Sequence, residues 1–294
     1  RQNINSKDIL EVKKILKSNY LTQGEKVPKF EKLVSKFTKS NYAVAVNSAS
    51  SALHIACVAL NIKKNDIVWT VPNTFVASAN CAIHCGAIVD FVDIDPNNWN
   101  ISISELEKKL RLAKRKNKLP KLLIPVHFAG LPTEQEKIWK LSKKYKFKII
   151  EDASHSIGAK YKNELSGSCK WSDITVFSFH PVKIITTGEG GMALTNNKKL
   201  AEKMKILRTN GISQLNFLFK KNKILPWYYE HISPGFNYRM NDISAALGIS
   251  QFKRLKKFVK KRNLIALKYK KYFRGLPLKF QKIDKNFYSS YHLD

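Results

Sequence analysis

Lys183 stands among apolar and small residues, in a chain where lysine otherwise crowds the polar stretches. Its segment runs Phe177-Ser-Phe-His-Pro-Val-Lys183-Ile-Ile-Thr-Thr-Gly-Glu-Gly-Gly191. Desolvation disfavours the ammonium form, so an amine in such a place is a competent nucleophile toward an aldehyde. Ser178, at the end of the strand-like run leading in, is placed to bind a phosphate. The glycines after Lys183 would let the chain pass close to a flat ring. His180, three residues before the lysine, suits a local hydrogen-bonding role better than that of a base.

Glu151-Asp-Ala-Ser-His155 ends a second strand-like run. A carboxylate there, Asp152, can pair with a protonated ring nitrogen in a cleft; it can equally cap the following turn. His155 could stack on the same ligand or hydrogen-bond to it. A metal would need a third ligand at suitable spacing, and none is found, so no metal site is expected. Asn47-Ser-Ala-Ser-Ser-Ala-Leu53 follows a third run. Small residues opening a helix let backbone N–H groups approach an anion, and the helix dipole adds to the attraction. Ser50 could add its hydroxyl, although an ordinary serine N-cap accounts for the same residues.

The elements that must position these groups alternate between strand and helix. Strands are predicted at Ala43–Val46, Asp66–Val71, Ala87–Val92, Leu122–Val126, Lys148–Glu151, Ile174–Phe179 and Gly191–Thr195. Helices are predicted at Ser51–Leu60, Thr74–Cys85, Ser104–Lys114, Glu134–Lys146 and Lys198–Arg208, with a long helical segment over Asn241–Tyr272. Such alternation favours an α/β layer fold with a mainly parallel sheet, whose ligands gather at the carboxyl ends of the strands. Ser213–Pro234 breaks the pattern with an aromatic, lysine-rich stretch and reads as a long excursion or lid-like loop.

The 294 residues, 44% hydrophobic and 26% charged, suffice for one large domain and part of a second. The longest apolar runs are strand-sized and the first residues lack the apolar stretch of a signal peptide, so a cytoplasmic protein is expected, with no membrane partner. The formal charge of +31 raises the question of nucleic acid. Lysine dominates arginine, however, and falls mostly on polar helix faces, which favours a solvated surface over a polynucleotide site. Cys57, Cys81, Cys85 and Cys169 form no CxxC and read as buried reduced thiols, not a metal site or a disulfide.

Taken with Pro72-Asn-Thr-Phe-Val-Ala-Ser-Ala-Asn80 and Gly235-Phe-Asn-Tyr-Arg-Met-Asn-Asp242, these segments resemble, in order and over essentially the whole chain, the DegT/StrS sugar-nucleotide aminotransferases. Leu21-Thr-Gln-Gly24, the lysine segment with Thr186-Thr187, and Ser289-Ser-Tyr-His-Leu293 look nearest to those that aminate carbon 4 of a UDP-linked 4-keto-6-deoxy sugar in pseudaminic acid synthesis.

The resemblance implies a fold-type I pyridoxal-phosphate (PLP) transferase, an α/β protein with a mostly parallel seven-stranded sheet flanked by helices. It implies a large PLP-binding domain with an N-terminal arm over 1–240. A linking helix and the start of a truncated small C-terminal domain would follow over 241–294. Lys183 would hold the cofactor as a Schiff base and shuttle protons, Asp152 would face the pyridine nitrogen, and His155 would lie near the ring hydroxyl. Phe75 matches the aromatic stacked on the ring, and Ala49, Ser50 and Ser178 match the phosphate cradle. Asn237 matches an asparagine that reaches the phosphate in a neighbouring subunit, which implies a homodimer with shared sites. Asn19, Tyr20, Leu21 and Thr22 fall where relatives contact the sugar nucleotide.

Ser50 departs mildly from the usual threonine, and the chain stops at Asp294 before the family's small domain is complete. The implied reaction moves an amino group from glutamate to the C4 ketone of a UDP-linked 4-keto-6-deoxy-N-acetylhexose. The other readings are a relative acting on a different keto-sugar nucleotide, or a non-catalytic nucleotide-sugar-binding relative. A PLP-dependent sugar dehydratase is disfavoured, because those relatives replace the lysine that Lys183 supplies.

Overall fold

A computed structural model describes residues 2–213 and 229–293 of the chain. All seven predicted strands form: β1 (Tyr42–Val46), β2 (Ile67–Thr70), β3 (Ile88–Phe91), β4 (Leu122–Leu123), β5 (Lys148–Asp152), β6 (Ile174–Ser178) and β7 (Gly191–Thr195). They build one sheet in the order β1-β7-β6-β5-β4-β2-β3. Strand β7 runs antiparallel to both neighbours and every other pairing is parallel. β4 is shorter than predicted because Pro125 has no N–H to give the ladder. Pairing resumes beyond it, where Asp152 N donates to the Pro125 carbonyl at 3.0 Å.

The helices are α1 (Ser6–Leu16), α2 (Lys26–Thr38), α3 (Ala49–Ala59), α4 (Ala77–Ile83), α5 (Ile103–Arg115), α6 (Gln135–Tyr145), α7 (Lys198–Leu207), α8 (Asp242–Phe252) and α9 (Leu255–Tyr272). The N-terminal arm of the sequence reading thus contains two helices. Asn5 caps α1 in a reciprocal capping box with Asp8. The predicted helix over Thr74–Cys85 starts only at Ala77, which leaves Thr74 and Phe75 in the loop before it.

The long segment over Asn241–Tyr272 is broken at Lys253–Arg254. Arg254 turns its guanidinium away to bond Asn3, at 2.6 Å to Oδ1, and the fully buried carboxylate of Asp8. Ser250 and Gln251 donate to the same carboxylate at 2.6 and 2.8 Å. A buried charge needs such partners, and the break is where the chain supplies them.

Period-two alternation sends Val44 and Val46 into the core under α3 and α7, and Ala43 and Ala45 into the core against α2 and α8. A third cluster, around Leu106, Leu110, Leu123 and Ile138, packs α5 and α6 on the sheet. Each fully buried side chain of this size contributes about 1.5–3 kcal/mol relative to exposure. Rigid strands and a helix start therefore meet at one end of the sheet. Of the Ser213–Pro234 excursion, 214–228 lie outside the described residues; Ile212–Ser213 pairs with Glu230–His231 at its ends.

Candidate active site

Strand β5 ends in Asp152, β6 ends in Ser178, and β1 feeds the first turn of α3, so three elements deliver polar groups to one edge of the sheet. A cavity of about 290 Å³ opens there, lined among others by Ala49, Ser50, Phe75, Asp152, His155, Ser178 and Lys183. The structure brings together the proposed ring, phosphate and amine residues of a single chain. A larger cleft, about 450 Å³, lies between Phe37, Leu165 and α9. Apart from Lys160, Lys256 and Tyr288 its lining is apolar or glycine, so it gathers no acid–base set.

The helix cap is Ser48, whose Oγ accepts from Ser51 N at 3.1 Å. That leaves the N–H groups of Ala49 and Ser50 in the first turn, beyond reach of any carbonyl of the helix. A helix start with free donors is a phosphate seat. Gly191 presses β7 against it: a Cβ there would stand 2.4 Å from the Ser48 carbonyl and 2.5 Å from Ala49 N. Gly190 and Gly191 pack against Thr187 and the Ser48–Ala49 backbone, while Gly188, at φ +82°, has nothing within 4 Å of its would-be side chain.

Asp152 is buried, and its two oxygens accept from Ser78 Oγ at 2.7 Å and from Ser154 N at 3.1 Å. Ser78 is itself fully buried and shares a 2.9 Å hydroxyl contact with Thr74, the cavity-lining residue next to Phe75. Phe75 is 72% exposed, a large flat face presented to the cavity instead of the core. Neighbouring Glu151 points to the opposite side of the strand. It is buried and accepts from Gln135, Thr175 and Ser172 at 2.5, 2.8 and 3.2 Å. Burial pushes its carboxyl above the usual value, and those three donors pull it back.

The Lys183 loop is closed on itself by the Phe179 carbonyl, which accepts from Thr187 N at 3.0 Å and Thr186 Oγ1 at 2.9 Å. Ile184 and Ile185 anchor it in the core. Burial lowers the Lys183 amine below the ordinary lysine value, and the Asp152 carboxylate partly offsets this. His180 bonds locally, its Nδ1 accepting from Val182 N at 3.4 Å. His155 is held down to about 3, first by burial and then by the positive field of Lys183 and by His127. It is neutral at any ordinary pH. His127, fully buried behind it, is likewise held at about 4 by burial, with Asp152 opposing.

Asn237 and Asn19–Thr22 do not line this cavity. All five are exposed, and Asn237 bridges to Thr209. Thr22 bridges to Asn241, and the Leu21 carbonyl accepts from Asp242 N at 2.9 Å, so the two groups share one neighbourhood. Sequence reasoning did not single out Thr74, Ser78 and Ser154. The signal for all three was present, since Thr74 and Ser78 lie within the Pro72–Asn80 motif and Ser154 within Glu151–His155.

An amine, a carboxylate, an aromatic face and a free helix start around one cavity define the site of a pyridoxal-phosphate enzyme of fold type I. The DegT/DnrJ/EryC1/StrS aminotransferase family model matches residues 2–293, and the chain belongs to that family. It is therefore a sugar aminotransferase, and the family's cofactor is PLP. The chain is 42% identical over 276 residues to the UDP-4-amino-4,6-dideoxy-N-acetyl-beta-L-altrosamine transaminase of Campylobacter jejuni, covering 94% of this chain and 69% of that one. The solved structure of Helicobacter pylori PseC, an aminotransferase of pseudaminic acid biosynthesis, superposes with a TM-score of 0.84 at 33% identity, covering 99% of this chain and 74% of that one. A putative sugar aminotransferase of Streptococcus pneumoniae, Spr1654, solved in its PLP form, gives a TM-score of 0.85 at 28% identity, covering 99% and 75%. Among the described residues no helix is long and apolar enough to cross a membrane.

Proposed function

We propose that this protein moves the amino group of glutamate onto the C4 ketone of a UDP-linked 4-keto-6-deoxy-N-acetylhexose, leaving 2-oxoglutarate and the 4-amino sugar. The observation that carries the reading is the meeting of Lys183, Asp152 and the first turn of α3 at one cavity. The named activity of the Campylobacter relative supports the choice of sugar.

The residues present fit the cofactor. Ala49 N–H, Ser50 and Ser178 would hold its phosphate, Phe75 would cover one ring face and exclude water, and Asp152 would keep a proton on the ring nitrogen. When bound, PLP supplies an electron sink for the carbanion formed at the reacting carbon. Lys183 Nζ, made less basic by burial, takes a proton from the carbon bearing the donor's amino group and returns one to the sugar carbon that receives it. Ser78 and Ser154 fix the carboxylate that makes this economical. His155, held neutral, gives or accepts a hydrogen bond at the cofactor's edge without adding charge.

Asn237 and Asn19–Thr22, exposed and away from their own cavity, suit a homodimer in which one chain completes the other's phosphate and sugar sites. In the same reading residues 1–240 form the cofactor domain and 241–294 begin a second unit, and the enzyme works in the cytoplasm. The test of the substrate is a panel of UDP- and dTDP-linked keto-sugars with glutamate as donor. Turnover confined to dTDP-linked or 3-keto sugars would defeat the sugar assignment. The test of sharing mixes K183A and N237D chains under subunit exchange: activity returns if one heterodimer site draws Lys183 and Asn237 from different chains. No recovery despite proven exchange rules sharing out.

A further inference from the structure

The segment Ser289–His292 is seated against the back of the cavity by bonds from three directions. Ser290 N donates to the Gly130 carbonyl at 3.0 Å, and His292 N to the Ala129 carbonyl at 2.8 Å. Ser290 Oγ donates to the carbonyl of His155 at 2.8 Å. From α9, Arg262 donates to the carbonyls of Tyr291 and His292 at 3.0 and 3.1 Å, and Asn263 to that of Ser289 at 3.0 Å. Gly130, at φ +100°, leaves no room for a side chain, since a Cβ would lie 2.7 Å from Ser290 Oγ. The seat is therefore fixed.

What it delivers is the ring of His292, 8% exposed, to 4.3 Å from the ring of His155, at an interplanar angle of 34°. Nδ1 of each ring is buried and has no hydrogen-bond partner. Leaving such an atom unpaired costs about 1–3 kcal/mol, so an arrangement that does it twice, face to face, calls for a reason. Lys183, His127 and Arg262 are the charged or titratable neighbours of the pair. With positive groups around them, the two imidazoles touch through their faces as neutral rings.

We propose that His292 is a positioning residue of the active site, its ring serving as the backstop that fixes the plane in which His155 meets the cofactor. The proposal rests on the reading of His155 as a cofactor-side residue. It makes Ser289–His292 part of the active-site wall, although His292 lies 137 residues after His155 in the sequence.

The test compares wild type with H292A, which removes the stack, and H292F, which keeps a flat ring without nitrogens. Histidine-labelled apo protein, followed by NMR, reads the His155 ring directly and needs no cofactor. In H292A the His155 resonances should move and titrate closer to the ordinary histidine range, and in H292F they should stay near wild type. In the PLP-loaded protein, H292A should shift the visible absorbance band and lower kcat by about 10- to 100-fold with a smaller change in KM. H292F should recover both. Should H292A fail to fold, H292L takes its place, with bulk but no flat ring. An unmoved His155 titration in H292A, or H292F as impaired as H292A, overturns the proposal. Failure of the wild type to take up PLP at Lys183 would instead defeat the functional reading, and the NMR comparison would still decide whether His292 sets His155.

Discussion

Ser78 Oγ donates to Asp152 Oδ2 at 2.7 Å, tying the loop of Phe75 to the end of β5. Both partners are buried, so the bond is sheltered from water. S78A leaves a buried carboxylate oxygen short of a donor, which should cost about 1–3 kcal/mol. Denaturant unfolding checks that cost. The same variant should turn over more slowly than S78T, which keeps the hydroxyl; equal rates for the two would remove Ser78 from the catalytic framework.

K183A should lose the borohydride-reducible link to PLP, read by mass spectrometry of the peptide spanning residues 177–191. D152A should keep that link yet lose turnover by about 10²–10⁴-fold, the range typical of a misplaced proton. A linked and fully active D152A would show that the ring nitrogen is served by another group.

G191A should weaken PLP binding more than it weakens the fold's other functions. Its Cβ would meet the Ser48–Ala49 backbone at 2.4–2.5 Å and push the phosphate seat out of line. Equilibrium titration with PLP, beside pyridoxal lacking the phosphate, reads this. The loss should be large for PLP and small for pyridoxal.

Acid should destabilise the protein well above the carboxylate range. His127, His155 and His292 are held at about 4, 3 and 2, against 6.5 for a free histidine. Their folded values are lowered, so the unfolded chain takes up protons first as pH falls. The stability is present above pH 6.5 and drains away below it, at about 1.4 kcal/mol per pH unit for each ring that stays neutral. Urea midpoints at pH 7 and pH 5 should differ in that direction, and a flat profile would contradict the burial of the three rings.

The strands were legible in the sequence because each is a short apolar run, and the site because its residues sit where those runs end. Val44, Val46 and Val176 needed only their alternation to be placed. The break at Lys253–Arg254 was not legible, because its cause, the bond from Arg254 to Asp8, spans 246 residues. Ser78 and His292 lie in motifs the sequence offered, but their partners were hidden for the same reason: nothing in their own neighbourhoods tells which carboxylate or ring they will meet. The helices α1 and α2 were missed although local signals existed, in the Asn5–Asp8 capping box and in the spacing of Val27, Phe30 and Val34.

The clamp on Asp8 also orders events in time. Its three side-chain partners from the α8–α9 junction, Ser250, Gln251 and Arg254, lie 242, 243 and 246 residues downstream. A ribosome that has made residue 8 must add at least 242 more residues before any of them exists. Until then α1 carries a carboxylate it cannot bury, so a helix made well before its partners must wait for them to dock. A nascent chain halted before residue 250 should leave that helix open to protease, with the sheet behind it already built.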